Sequence, residues 1–321
     1  MKTKFFNLFA LLMTLHITTP LFAQTSSVDT IGLNIQDNHF IWYPDKASLR
    51  IGTYTGNQLD TSFIGFNSFV HGMNAFGRGD HSMAIGRLCR ADGRSSIAIG
   101  EVASAIGDYA IAYGYRTKAE YDKATAIGYQ AEAAGSAAIA IGRVAFAGSN
   151  SSIVIGDEVT SNDIGGIAMG QNAVSIGTGA TAFGKDVTAN GTGSFHPFGG
   201  SAAIGSNCTA IGSGSTSIGG YCTSNGDGAI AGGFACQATG WAAIAMGVES
   251  SANGEGATAM GAEATANGDY SYALGGYSTA VGDGAITLGT NLTSQANNSI
   301  TIGHAVFYSS GLVNAIPNSL M

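Results

Sequence analysis

Ser96-Ile97-Ala98-Ile99-Gly100-Glu101-Val102-Ala103-Ser104-Ala105-Ile106-Gly107-Asp108-Tyr109 is one unit of a pattern that fills most of the chain. With Gly100 as origin, glycine recurs every 14 residues at Gly86, Gly100, Gly114, Gly128, Gly142, Gly156, Gly170 and Gly184. A second run follows at Gly205, Gly219, Gly233, Gly247, Gly261, Gly275, Gly289 and Gly303. Because the chain holds 49 glycines in 321 residues, chance would fill only about one such place in seven. A fixed period of this kind marks a repeat architecture in which each unit meets only its neighbours.

Within a unit, the residues one and three before the glycine are mostly large and apolar, as in Ile97 and Ile99 or Ile139 and Ile141. The residue between them is small, usually alanine: Ala84, Ala98, Ala112, Ala126, Ala140. Period-two alternation rich in isoleucine predicts a strand. A second glycine column lies seven residues on, at Gly93, Gly107, Gly135, Gly177 and Gly212 among others. Each unit therefore reads strand, glycine corner, strand, glycine corner, with glycine expected to supply positive φ at the corners. The fold class is all-β, a parallel β-solenoid flattened into a roll of two short strands per coil. At a coil spacing of about 4.8 Å, the roughly 17 periods from Gly65 to Gly303 make a rod of roughly 80 Å.

The two strands differ. The second places small residues three and five after the glycine (Ala103, Ala105, Ala131, Ala133) and often polar ones at two, four and six (Gln130, Glu132, Asn207, Thr209). It has one wet face. The first strand is apolar or small on both faces, the pattern of a strand covered on both sides. One of those faces lacks a cover within the chain, which predicts self-association.

The ends are different. Lys2 and Lys4, an apolar stretch from Phe5 to Phe22, and Ala23 before Gln24-Thr25-Ser26 form a secretory signal layout, residues 1–23. Removing the two lysines takes the formal charge from −8 to −10. An acidic chain with 11% charged residues is not a nucleic-acid binder, which needs basic patches. Residues 24–60 lie outside the repeat, and Phe40-Ile41-Trp42-Tyr43 and Leu49-Arg50-Ile51-Gly52 read as strands capping the first coil of repeats 61–303. Residues 304–321 are expected to cap the far end, shielding it from edge-to-edge aggregation.

Several residues invite a sharper reading. Cys89, Cys208, Cys222 and Cys236 share one repeat position, three after the glycine. They are either small buried core residues or, given export, partners in a disulfide among Cys208, Cys222 and Cys236. Asp108, Asp157, Asp227, Asp269 and Asp283 each follow a glycine and read as turn formers rather than calcium ligands. No metal, cofactor or catalytic group is expected, because no titratable cluster with its own acid or nucleophile partner stands out. The 14-residue step breaks by seven between Gly65 and Gly86 and between Gly184 and Gly205. Both breaks are expected to loop out of the roll, making Phe69 and His71, and Phe195, His196 and Phe198, candidate ligand contacts.

Ser96-Ile97-Ala98-Ile99-Gly100, Ser201-Ala202-Ala203-Ile204-Gly205 and Asn298-Ser299-Ile300-Thr301-Ile302-Gly303 resemble the head repeat of trimeric autotransporter adhesins, the YadA-like head. The resemblance covers about residues 61–303. It implies a left-handed parallel β-roll, a homotrimer, and a bacterial surface or secreted adhesin with an extracellular matrix protein or a host or sister cell surface as partner. Such adhesins usually continue into a stalk and a β-barrel anchor. Only 18 residues follow Gly303, so a separate anchor protein, a truncated chain or a released protein is expected. Two rivals are a structural spacer and an ice-binding solenoid, the latter from the column Thr209, Thr223, Thr265, Thr279 and Thr293.

Overall fold

The computed structural model describes residues 31–35, 38–191, 199–305 and 312–314. Ile97–Glu101 pairs in parallel with Met83–Arg87 on one side and Ile111–Tyr115 on the other, Gly86 opposite Gly100 and Gly100 opposite Gly114. The same in-register step continues to Ile300–His304 and builds a long-strand sheet of 20 strands. On the other side of the coil, two- and three-residue strands such as Arg90–Ala91, Ser104–Ala105 and Lys118–Ala119 stack in a parallel short-strand sheet. The result is a parallel β-solenoid of about 16 turns.

Alanine makes the core. Ala84, Ala98, Ala112, Ala126 and Ala140 of the long strands and Ala91, Ala105, Ala119, Ala133 and Ala147 of the short strands are fully buried. Strand alternation aims these methyl groups between the sheets and turns the flanking isoleucines outward.

Coils approach each other most closely at the glycines. Gly142 has φ +137°, and a Cβ on it would lie 1.8 Å from the carbonyl oxygen of Gly156 in the next coil. The second column is selected differently from the expectation. Gly93 is not in the left-handed region, yet its Cβ would sit 1.9 Å from the oxygen of Gly107. Close approach alone excludes a side chain there.

The left-handed corners belong largely to other residues. Leu88, Val102, Arg116, Gln130 and Val144, two after the lattice glycine, have φ of 52–59°. Ser95, Tyr109, Lys123, Ala137 and Ser151, nine after it, have φ of 55–61°. This turn aims their amide groups along the rod: Val102 N–H donates to the Arg87 carbonyl at 2.8 Å, and Val144 N–H to Tyr129 at 2.8 Å. The αL conformation costs about 1–2 kcal/mol for an ordinary residue, and a β-branched side chain is least suited to it.

The first expected excursion does not occur. Gly72, with φ +145°, stacks on Gly86, and Phe69–Met73 pairs in register with Met83–Arg87. Gly65 belongs to the second glycine column and stacks on Gly79. Counting from it had put the phase half a coil out. The departure from the roll lies earlier, between Gly52, which stacks on Gly72, and Gly65. There the chain forms the 3-10 turns Asn57–Leu59 and Thr61–Phe63 and buries Ile64 with Ile41 and Tyr43. Ahead of it, Ile31–Ile35, Asn38–Tyr43 and Ser48–Thr53 form an antiparallel meander whose last strand joins the parallel stack.

At the second break the register holds, with Gly184 opposite Gly205 and Thr188 opposite Thr209. The extra residues lie in sequence between the strands Thr188–Asn190 and Ala202–Ser206. Phe195, His196 and Phe198 lie outside the described residues. Near the far end, Leu312–Asn314 adds one more short strand beside Leu292–Ser294.

Three substitutions test this geometry. Gly142→Ala should lower unfolding free energy by at least about 2 kcal/mol, from strain plus collision with the neighbouring backbone. Gly165→Ala, where nothing lies within 4 Å of an added Cβ, should cost only about 1 kcal/mol. Val144→Asn should raise stability by roughly 0.5–1 kcal/mol, because asparagine tolerates the left-handed region. Denaturant melts of the three variants beside the parent protein measure all of these.

Candidate interaction surface

Three columns of side chains stand on the outer face of the long-strand sheet: those three before, one before and one after each lattice glycine. The first two are the isoleucine columns, and they are only partly covered. Tyr113 is 53% exposed, Phe183 52%, Ile218 46% and Ile302 50%. Their inner neighbours Ala112, Ala182 and Ser217 are fully buried. A continuous apolar wall along the whole rod far exceeds the scattered exposed hydrophobics of an ordinary monomer surface.

The third column borders the wall and changes character along the rod. Arg87 and Glu101 pair at 2.5 Å, Tyr115 and Tyr129 stack with ring centroids 5.1 Å apart, and Arg143 meets Asp157 at 2.5 Å. Hydrogen bonds that Arg143 donates to the Asp157 and Glu158 carboxylates raise its pKa above the ordinary value. Such exposed pairs contribute little stability. At Phe234, Val248 and Ala262 the column is apolar, the first two about half exposed, before Thr290 and His304 make it polar again. Phe69 and His71 occupy the first two columns near the start of the wall, Phe69 opposite Met83 and His71 opposite Ile85. They are part of this face rather than a separate looped patch.

The short-strand sheet presents the polar face. Thr209 stands opposite Thr223, and Thr265, Thr279 and Thr293 are in register, with Gln237 and Ser251 between the two groups. The threonine column is therefore interrupted.

All four cysteines are free and fully buried. Each thiol points at the carbonyl of the next lattice glycine: Cys89 to Gly100 at 3.1 Å, Cys208 to Gly219 at 3.2 Å, Cys222 to Gly233 at 3.3 Å and Cys236 to Gly247 at 3.2 Å. Burial pushes the Cys222 thiol up to about 11, which disfavours the reactive thiolate.

The corner aspartates act between coils. Asp108 Oδ1 accepts the Arg94 amide at 2.8 Å, Asp122 that of Asp108 at 3.0 Å, and Asp283 that of Asp269 at 3.1 Å. Asn150 does the same for Ser136 at 2.9 Å. Sequence reasoning read Asp108, Asp269 and Asp283 as turn formers but missed the ladder they build with Asp122 and Asn150, and it misplaced Asp157, which ends the long strand Ile153–Asp157 beside Arg143. Among the described residues no group of three or more His, Cys, Asp or Glu could hold a metal ion.

Arg50 was missed as a special residue. It occupies the inward place that Val70 and Ala84 hold in the next coils and is fully buried. One guanidinium nitrogen donates to Ser68 Oγ at 3.0 Å and to the Gly77 carbonyl at 2.9 Å. Burial lowers its pKa to about 10, partly opposed by Tyr54 and Tyr43. Gly77 makes room: a Cβ there would lie 2.7 Å from Val70 Cγ2, whereas the same column carries Ala91 in the next coil. A buried basic residue facing a glycine was the available signal.

A narrow solenoid with one apolar wall, one polar face and two lines of turns belongs to the class of repeat rods that act through their surfaces. A family model described as YadA head domain repeat (2 copies) matches residues 91–117, 122–145, 168–194, 238–264 and 266–291. The chain belongs to the YadA-like heads, whose function is of the adhesin type. No curated protein matches the chain.

The buried thiols yield a direct check. At pH 8 the native protein should leave 5,5′-dithiobis(2-nitrobenzoate) essentially unreduced over an hour. In denaturant it should titrate four thiols per chain without prior reduction.

Proposed function

We propose that this chain is the head of a bacterial adhesin, a non-catalytic multivalent rod exported to the cell surface or secreted. It assembles as a homotrimer of left-handed β-rolls with the apolar walls turned toward one another. The observation that carries the reading is the wall itself, an adhesin-family repeat whose outer apolar columns stay partly exposed in the single chain, up to about half at Tyr113, Phe183 and Ile302. Burying what remains exposed of one such side chain contributes up to roughly 1 kcal/mol. A row of more than a dozen is then comparable to the roughly 4–15 kcal/mol that association costs in lost freedom.

With the walls facing inward, the turns and the polar short-strand face remain for partners. Near-identical coils present near-identical contacts, so weak contacts multiply through avidity. The partner is an extended surface of the same kind: extracellular matrix protein, or a host or sister cell. Residues 1–23 direct export, and 24–60 and 304–321 close the ends of the 61–303 rod.

Purified protein on beads should bind saturably to immobilised matrix proteins or to whole cells. Removing two whole coils, residues 115–142, keeps the stacking register and should lower bead binding by more than the fraction of coils lost. Binding no greater than that of albumin-coated beads on every surface would refute the adhesin reading.

A further inference from the structure

Along one edge of the rod, the residue eight after the lattice glycine is Asp or Asn in about half the coils, and there it caps the coil before it. In the last third of the chain Asp227 accepts the Ser213 amide at 2.8 Å, Asp269 that of Glu255 at 2.9 Å and Asn297 that of Asp283 at 3.1 Å. Within that stretch the ladder is interrupted at Trp241 and Glu255, as it is earlier at Arg94, Ser136 and Ile164. A tryptophan cannot accept an amide hydrogen, so its presence gives up a bond between coils. Trp241 also gains little burial, since it is 57% exposed. A large aromatic ring held in solvent with no structural gain is a candidate for recognition.

The neighbours of Trp241 fit that reading. Tyr270 is 56% exposed and lies over Gly256, whose added Cβ would meet the ring at 2.9 Å. The Tyr270 hydroxyl donates to Glu255 Oε1 at 2.5 Å, which fixes the ring against the turn. Trp241 and Tyr270 stand two coils apart, about 10 Å along the rod. The Glu255 carboxylate lies between them and Asp269 beside Tyr270. Glycine at 228 leaves the turn on the other side of Trp241 without a side chain.

We propose that Trp241, Glu255, Asp269 and Tyr270 form a binding platform for a neutral β-linked glycan. An aromatic face receives the axial C–H groups of a pyranose ring, and carboxylate oxygens accept its hydroxyls. The two-coil separation matches one disaccharide step of an extended β-linked chain, so both rings can stack on sugars of the same strand. The carboxylates repel sulfated, uronic or sialylated glycans, which selects uncharged sugars. This rests on the adhesin reading and names a ligand class for it.

The chain has two tryptophans, so Trp42→Phe leaves Trp241 as the sole reporter in the full-length assembled protein. Titration with cellohexaose and chitohexaose should shift and quench its fluorescence saturably, while heparin should not. By calorimetry, Trp241→Ala and Tyr270→Ala should each weaken glycan binding at least tenfold with an unchanged circular-dichroism spectrum. Trp241→Phe should stay within a few-fold of the parent. No saturable response to either neutral glycan, or equal affinity in Trp241→Ala, overturns the platform. Bead adhesion separates the two readings. A protein that ignores both glycans yet still holds cells or matrix protein refutes the platform alone, whereas one that holds no surface refutes the adhesin reading as well.

Discussion

Two backbones meet at each lattice glycine with no space for a methyl group between them, and the remaining geometry of the rod follows from that contact. The carbonyl of one glycine occupies the place where a Cβ of the preceding one would be, as at Gly142 and Gly156. Strands held this close in register repeat the same pairing at every coil, so identical columns stack for the length of the chain. Backbone groups in the turns are satisfied along the rod as well, by the left-handed residues and by the aspartate ladder. Stability then accumulates between nearest neighbours rather than around one central core.

A core of alanine methyls is a consequence with its own cost. Each coil buries small groups inside and leaves its isoleucines outside, the reverse of an ordinary sandwich, where the largest apolar side chains fill the interior. The apolar area needed to offset chain entropy is thus placed on the outer face of the long strands. It becomes effective only when something covers it. Fold and assembly are in this sense one problem, with the isoleucine columns supplying what the alanine columns lack. The polar face and the turns carry no such demand, which leaves Trp241 and Tyr270 free to serve recognition.

The coil and its two strands were legible in the sequence because a 14-residue period repeated many times leaves few alternatives. The phase of the first coil was not. Gly65 and Gly72 are both glycines of the repeat, and only the contact each makes tells the two columns apart. The left-handed corners were hidden for another reason. Their conformation is imposed by stacking, so Leu88, Val102 and Arg116 adopt it without a shared residue type, and only occasional asparagines such as Asn74 and Asn207 hint at it. The wall was readable from strands apolar on both faces. Arg50 was not, since a basic residue in a strand outside the repeat ordinarily reads as solvated.

Covering of the wall is the central claim, and sedimentation equilibrium of the purified protein from high to sub-micromolar concentration tests it most directly. A chain of 32.3 kDa is expected to sediment at three times its mass throughout, less any removed leader, with β-sheet content intact. A folded, soluble monomer across that range would contradict the account.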